Sequence, residues 1–205
     1  MHKAIPLSAL ALLCATALPA AKPAKPVSAA AIDTRGVSGG SYVVDQNHTQ
    51  VGWRINHMGF NDYFGLFGQV TGTLSLDKAD PSKSKVSVTI PVSQLATSSE
   101  GLNKHMLSAD FLNASQFAEA KFESTHVMVM GQTAMIHGNL TLLGVTKPVT
   151  LDARLSGAGS NMMTKKETLG FHATTKIKRS EWGMTKYVPA VGDEVTLQIS
   201  VAFEK

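Results

Sequence analysis

The chain has 205 residues, of which 43% are hydrophobic and 17% charged, with one cysteine and a formal net charge of +4. A single cysteine excludes a disulfide-held scaffold. The longest basic cluster beyond the start of the chain, Lys176 to Ser180 (KIKRS), is too short for the Lys/Arg stripe of a nucleic-acid-binding face, so no nucleic-acid partner is expected.

The chain opens on a basic tripeptide, MHK, and an apolar run bounded by small residues, AIPLSALALLCATALPA. This pattern predicts a secretory signal peptide over residues 1–31, too short and small-sided to anchor in a bilayer. Two small-x-small cleavage sites compete, Ala15-Thr16-Ala17 and Ser28-Ala29-Ala30. Cys14 raises a lipoprotein alternative, which the bulky Leu13 before it disfavours. Cleavage after Ala30 or Ala31 removes Lys3, Lys22 and Lys25 with no acid and leaves +1. The expected location is therefore periplasmic or secreted.

Residues 32–41 are rich in Gly and Ser and predict a flexible linker, with one folded domain over 42–205. Gly36-Val37-Ser38-Gly39-Gly40 matches the letters of a hydrolase nucleophile elbow. That motif needs a strand before the serine and a helix after it, and neither is expected here.

From Val51 the hydrophobic period is two. Val51, Trp53, Ile55 and His57 share one parity; Leu66, Val70, Leu74 and Leu76 share another; Val86, Val88, Ile90 and Val92 follow. Later runs centre on Lys121–Met130, Ile136–Leu142, Val149–Leu155, Leu169–Ala173 and Val195–Phe203. Alternation of this kind places one face of each strand in a core and the other in water. Eight or so such strands with short turns predict an antiparallel sandwich or a closed barrel, and closure would remove exposed edges. Ser98 to Phe122 departs to helical spacing, with Ser98 or Ser99 as N-cap, and predicts one or two short helices near one mouth.

The stretch Asn56–Gly68 combines Phe60, Tyr63, Phe64 and Phe67 with Gly59, Gly65 and Gly68. With Phe111, Phe117 and Phe122 these aromatics flank the non-strand segments, where a barrel has its mouth. Gly68, Gly72 and Gly138 fall at inward parity and would leave room beside them. An eight-stranded barrel can be filled by its own side chains or hold one small ligand, and the pattern leaves both open. The histidines show no H-x-H or H-x-x-x-H pairing, so no metal is assigned. The carboxylates flank turns and offer no acid–base pair. No catalytic residue and no cofactor are expected, and the chain is not read as an enzyme.

Several ordered segments resemble the YceI-like family. They are YVVDQNHTQVGWRINHMGF, FGLFGQVTGTLSLD, HMLSADFLNASQFAEAKFEST, HGNLTLLGVTKPVTL, IKRSEWGM and VGDEVTLQI, which together span Tyr42 to about Phe203. Thr49 replaces the family's usual serine, and Ala118 to Ala120 lack its common proline. The resemblance implies an all-β, antiparallel, eight-stranded lipocalin-like barrel. It implies a binding protein for a long isoprenoid or similar amphiphile, such as a quinone precursor. The implied apolar wall is Phe60, Phe64, Phe67, Phe111, Phe117, Phe122, Leu140 and Leu142. The implied polar head contacts are His57, His105, Arg179 and Tyr187, with a turn-stabilising bond from Arg179 to Asp193 or Glu194 as its alternative. Transient membrane contact and a homodimer stay open. The competing readings are a lipid- or quinone-pathway enzyme and a stress-related structural module with a filled core.

Overall fold

The computed structural model describes residues 33–205; the expected leader and both of its cleavage sites lie outside the described residues. The described chain forms β1 (Gly40–Val44), β2 (Gln50–His57), β3 (Asn61–Phe67), β4 (Thr71–Leu76), β5 (Lys85–Pro91), β6 (Leu95–Ala96), α1 (Glu100–Met106), β7 (Glu119–Met130), β8 (Thr133–Leu142), β9 (Val145–Ser160), β10 (Glu167–Lys178) and β11 (Val191–Glu204). All pairings are antiparallel. Strand β11 pairs with β1 at Val44↔Phe203 and then with β2 at Trp53↔Leu197, so β1 and β2 are two halves of one stave. Likewise β3 pairs with β2 and β4 with β1, while β6 pairs with β3 and β5 with β4. Three interrupted staves plus β7, β8, β9, β10 and β11 close an eight-stranded up-and-down barrel.

Loops 77–84, 131–132 and 161–166 lie at one end, here the upper end, with residues 33–39. Segments 58–60, 92–118, 143–144 and 179–190 lie at the lower end. The helix α1 belongs to the lower end. Ser99 caps it by accepting from the Leu102 amide, and Glu100 sits in its first turn. The expected second helix does not form. Residues 107–118 are turns, with Asn113 at φ 42.

Two further expectations are corrected. The described part of the expected linker, residues 33–41, is not free throughout: Val37 is buried with Tyr42, Leu74, Leu169 and Phe203, and β1 begins at Gly40. Val37 stands alone between Gly36 and Ser38-Gly39-Gly40, and composition alone hides it. Ser38 bonds the Glu167 carboxylate and accepts from Lys205 Nζ, with no strand–helix elbow around it. The second correction concerns Leu66. It does not share parity with Leu74, because Gln69 sits at φ 52 between β3 and β4. A one-residue interruption exchanges the faces of a strand. Tyr63, Gly65 and Phe67 point inward, so Phe64 and Leu66 face out, at 61% and 38% exposure.

Candidate functional site

The barrel interior is hollow. A cavity of about 390 Å³ occupies the upper half and one of about 270 Å³ the lower half. Val51, Ile90, Leu140 and Leu197 line both, so a ring of four aliphatic side chains marks the waist between them. Val86, Val88, Ile136, Val149, Leu197 and Ile199 all point to the axis and line the cavities, yet none is fully buried. In a filled core each would be enclosed by partners from the opposite wall.

The large rings sit where glycine makes room for them. A Cβ on Gly138 would lie 2.3 Å from the Phe122 ring, and a Cβ on Gly65 would lie 2.3 Å from the Trp53 ring. The space beside Gly138 is therefore taken by an aromatic and is not empty. Gly72 has another reason to be glycine: its φ is +148, and a Cβ would strike the backbone of Ser87 and Val88. A Cβ on Gly68 would meet nothing within 4 Å.

Phe67, Phe111, Leu140 and Leu142 line the lower cavity, and Phe122 lines the upper. Three of the expected aromatics line neither. Phe60 stands in the β2–β3 turn at 87% exposure, where Met58 and Gly59 take left-handed backbone. Phe64 faces outward by the register shift described above. Phe117 packs over Gly144 in the β8–β9 turn.

All four polar candidates, His57, His105, Arg179 and Tyr187, line the lower cavity. The His57 ring meets Tyr63 edge-on at 5.0 Å, and the His105 ring meets Phe111 in the same way at 5.0 Å. Tyr187 lies 6.3 Å from His105 and 6.2 Å from Phe111. Asp110 holds this corner together, 3.4 Å from His105 Nε2 and 3.3 Å from Lys186 Nζ. Lys186 first, then His105, keeps the Asp110 carboxyl below its ordinary range.

Arg179 is 3% exposed and spends three N–H groups on backbone carbonyls: Nε on Gly192, one terminal nitrogen on Met184 and the other on Val191. Burial pushes its pKa down. The alternative bond to Asp193 or Glu194 is not the one formed. Asp193 accepts from the Ser180 amide and hydroxyl, and Glu194 pairs with Lys176. A guanidinium has five N–H donors, so two are left beyond the three carbonyls.

Tyr63, one of the four aromatics of the Asn56–Gly68 stretch, also lines the lower cavity, as do Trp53 and Met184, which the sequence reading did not assign to a site. Trp53 was legible, since it holds inward parity in a clean strand. Its Nε1–H is buried with no acceptor among the described residues. Such a donor costs about 1–3 kcal/mol when left unpaired. Among the described residues no three His, Cys, Asp or Glu side chains converge as a metal cage.

The model of the YceI-like domain matches residues 42–203. Protein YceI of Salmonella arizonae is 41% identical over 162 residues, which cover 78% of this chain and 84% of that protein. The crystal structure of BcnA from Burkholderia cenocepacia superposes with a TM-score of 0.70 at 22% identity, covering 78% of this chain and 98% of that one. A polyisoprenoid-binding domain from Saccharophagus degradans, described as implicated in plant cell wall breakdown, superposes with a TM-score of 0.61 at 10% identity, covering 80% and 97%. The chain belongs to the YceI-like family.

Proposed function

Taking that membership and the hollow interior as premises, we propose that the protein binds a long isoprenoid or similar amphiphile along the barrel axis. The observation that carries this reading is the pair of apolar cavities meeting at one aliphatic waist, with polar side chains gathered at the lower end. A filled-core structural module has no use for wall residues left uncovered along the axis. The Saccharophagus domain named for polyisoprenoid binding supports the choice of ligand class.

The tail supplies affinity through apolar burial, roughly 0.8 kcal/mol per CH₂ before association costs. At a net of about 0.3 kcal/mol per non-hydrogen atom, a 20-carbon tail yields about 6 kcal/mol, a Kd of some tens of micromolar. Each cavity is near or within the roughly 300–1,000 Å³ range of small-molecule pockets. The oxygen-bearing head is set at the lower end, where the two remaining Arg179 N–H groups, His57, His105 and Tyr187 offer donors. The expected chemistry is retention of the ligand with no bond made or broken. Export by the leader over residues 1–31 belongs to the same proposal, and the N-terminal sequence of the mature protein tests it.

Native mass spectrometry of the purified protein, paired with solvent extraction, tests the binding reading. A co-purifying lipid of prenyl mass, or a C20 prenyl alcohol that adds one molecule and raises Tm by mass action, is the expected result. A protein that carries no lipid and takes up none at saturation refutes it.

A further inference from the structure

The outer face of the β7–β8 hairpin gathers sulfur and imidazole. Val127 and Val129 of β7 line the upper cavity, which puts His126, Met128 and Met130 on the outside. Ala134 and Ile136 of β8 line it too, which puts Met135 and His137 outside. A register shift between Ser124 and His126 brings His126 opposite His137 and Met128 opposite Met135. The two-residue loop Gly131–Gln132, with Gly131 at φ 64, fixes that register from the other side.

Two imidazoles and two thioethers therefore occupy the corners of one patch. The imidazoles stack with centroids 6.0 Å apart and planes 15° from parallel. Cross-strand Cβ atoms lie about 5 Å apart and same-face neighbours along a strand about 6.6 Å apart. An ion above the middle of such a patch is within reach of a side chain from each corner. The orientation of one ligand is already set. His137 Nδ1 lies 2.8 Å from Thr150 Oγ1 on β9, so its Nε2 is the nitrogen left for an ion. An imidazole held through its other nitrogen is the usual arrangement around a metal. Met128 is 45% exposed and Met135 half-buried, so both side chains reach the outer surface.

We propose that this face binds Cu(I) through the sulfurs of Met128 and Met135 and the imidazoles of His126 and His137, with Thr150 positioning His137. Thioether sulfur is a soft donor that selects Cu(I) over Mg²⁺ or Ca²⁺, which need oxygen ligands. The site lies outside the barrel wall and is independent of any ligand inside.

Ag(I), the redox-silent analogue, is titrated as its nitrate into folded protein in chloride-free buffer, with methionine methyl groups labelled with ¹³C. The Met128 and Met135 methyl signals shift and saturate at one equivalent. Competition with a colorimetric Cu(I) chelator then gives the affinity. The double variant M128L/M135L, nearly volume-conserving and checked for unchanged Tm, loses at least about tenfold. T150V removes no ligand and loses roughly tenfold. The proposal is overturned if those methyl signals do not move at saturating Ag(I), if M128L/M135L keeps wild-type affinity, or if uptake runs only through the exposed Met162 and Met163.

Discussion

Leu197 is the residue on which the hollow interior turns. It lines both cavities, and with Val51, Ile90 and Leu140 it forms the waist between them. Replacing it with tryptophan pushes an indole across the axis. Overpacking a filled core costs about 1–3 kcal/mol. Here the added ring has open volume above and below it, about 390 and 270 Å³, so the cost falls at or below the low end of that range. The consequence for binding is larger. A tail of ten extra carbons is worth about 3 kcal/mol at 0.3 kcal/mol per atom, roughly two powers of ten in Kd. The wild type therefore prefers a C20 over a C10 prenyl alcohol by roughly a hundredfold. Leu197→Trp confines the tail to one cavity and reduces that preference to a few-fold. Native mass spectrometry with both alcohols in competition reads the ratio directly, and thermal unfolding reads the cost. A folded variant that keeps the wild-type ratio shows that no tail crosses the waist. A loss of more than about 3 kcal/mol shows that the waist is packed solid.

Trp53→Phe replaces the buried indole over Gly65 with a smaller ring and leaves a cavity, at a cost of about 1–3 kcal/mol read in a denaturant titration; wild-type stability would show that the indole contributes nothing to the packing of the lower wall. Gly65→Ala places a methyl group 2.3 Å from the Trp53 ring and costs about 1–3 kcal/mol, read as a Tm drop of about 2–4 °C per kcal/mol. Arg179→Met leaves the carbonyls of Met184, Val191 and Gly192 without their donor and costs about 3 kcal/mol or more in a denaturant titration; a variant with wild-type stability would show that these three bonds are dispensable. Glu167 is held below its ordinary pKa by Tyr42 first and then by Ser38. Its folded pKa is depressed, so its contribution is complete above the unfolded pKa of about 4.3 and is lost as pH falls through the folded value. Glu167→Gln therefore shows a smaller decline in Tm than wild type below about pH 4.5, and a parallel decline would remove the carboxylate from the account.

The barrel was legible in the sequence because closure asks little beyond period-two alternation, which the long strands β7 to β11 carry over most of their length. Ser99 announced α1 because a cap is a local event between a side chain and an amide three residues on. The wall was legible only where a stave is continuous. Phe122, Leu140 and Leu142 lie in unbroken strands and were placed on the cavity side. Phe60 and Phe64 lie on either side of events that hydrophobicity does not encode. One is a turn with left-handed backbone at Met58 and Gly59; the other is the Gln69 interruption that decouples the parity of β3 from that of β4. The same interruption aims Tyr63 and Phe67 into the lower cavity and brings Gly65 beneath Trp53. A continuous β3–β4 stave with the parity of Leu74 would have turned Phe64 and Leu66 inward, left Tyr63 outside and put no glycine under the indole. The backbone break that misled a pattern-based reading is thus what fixes which aromatics form the lower wall. An insertion or deletion of one residue at 68–70 would exchange that wall for its outward face without changing its composition.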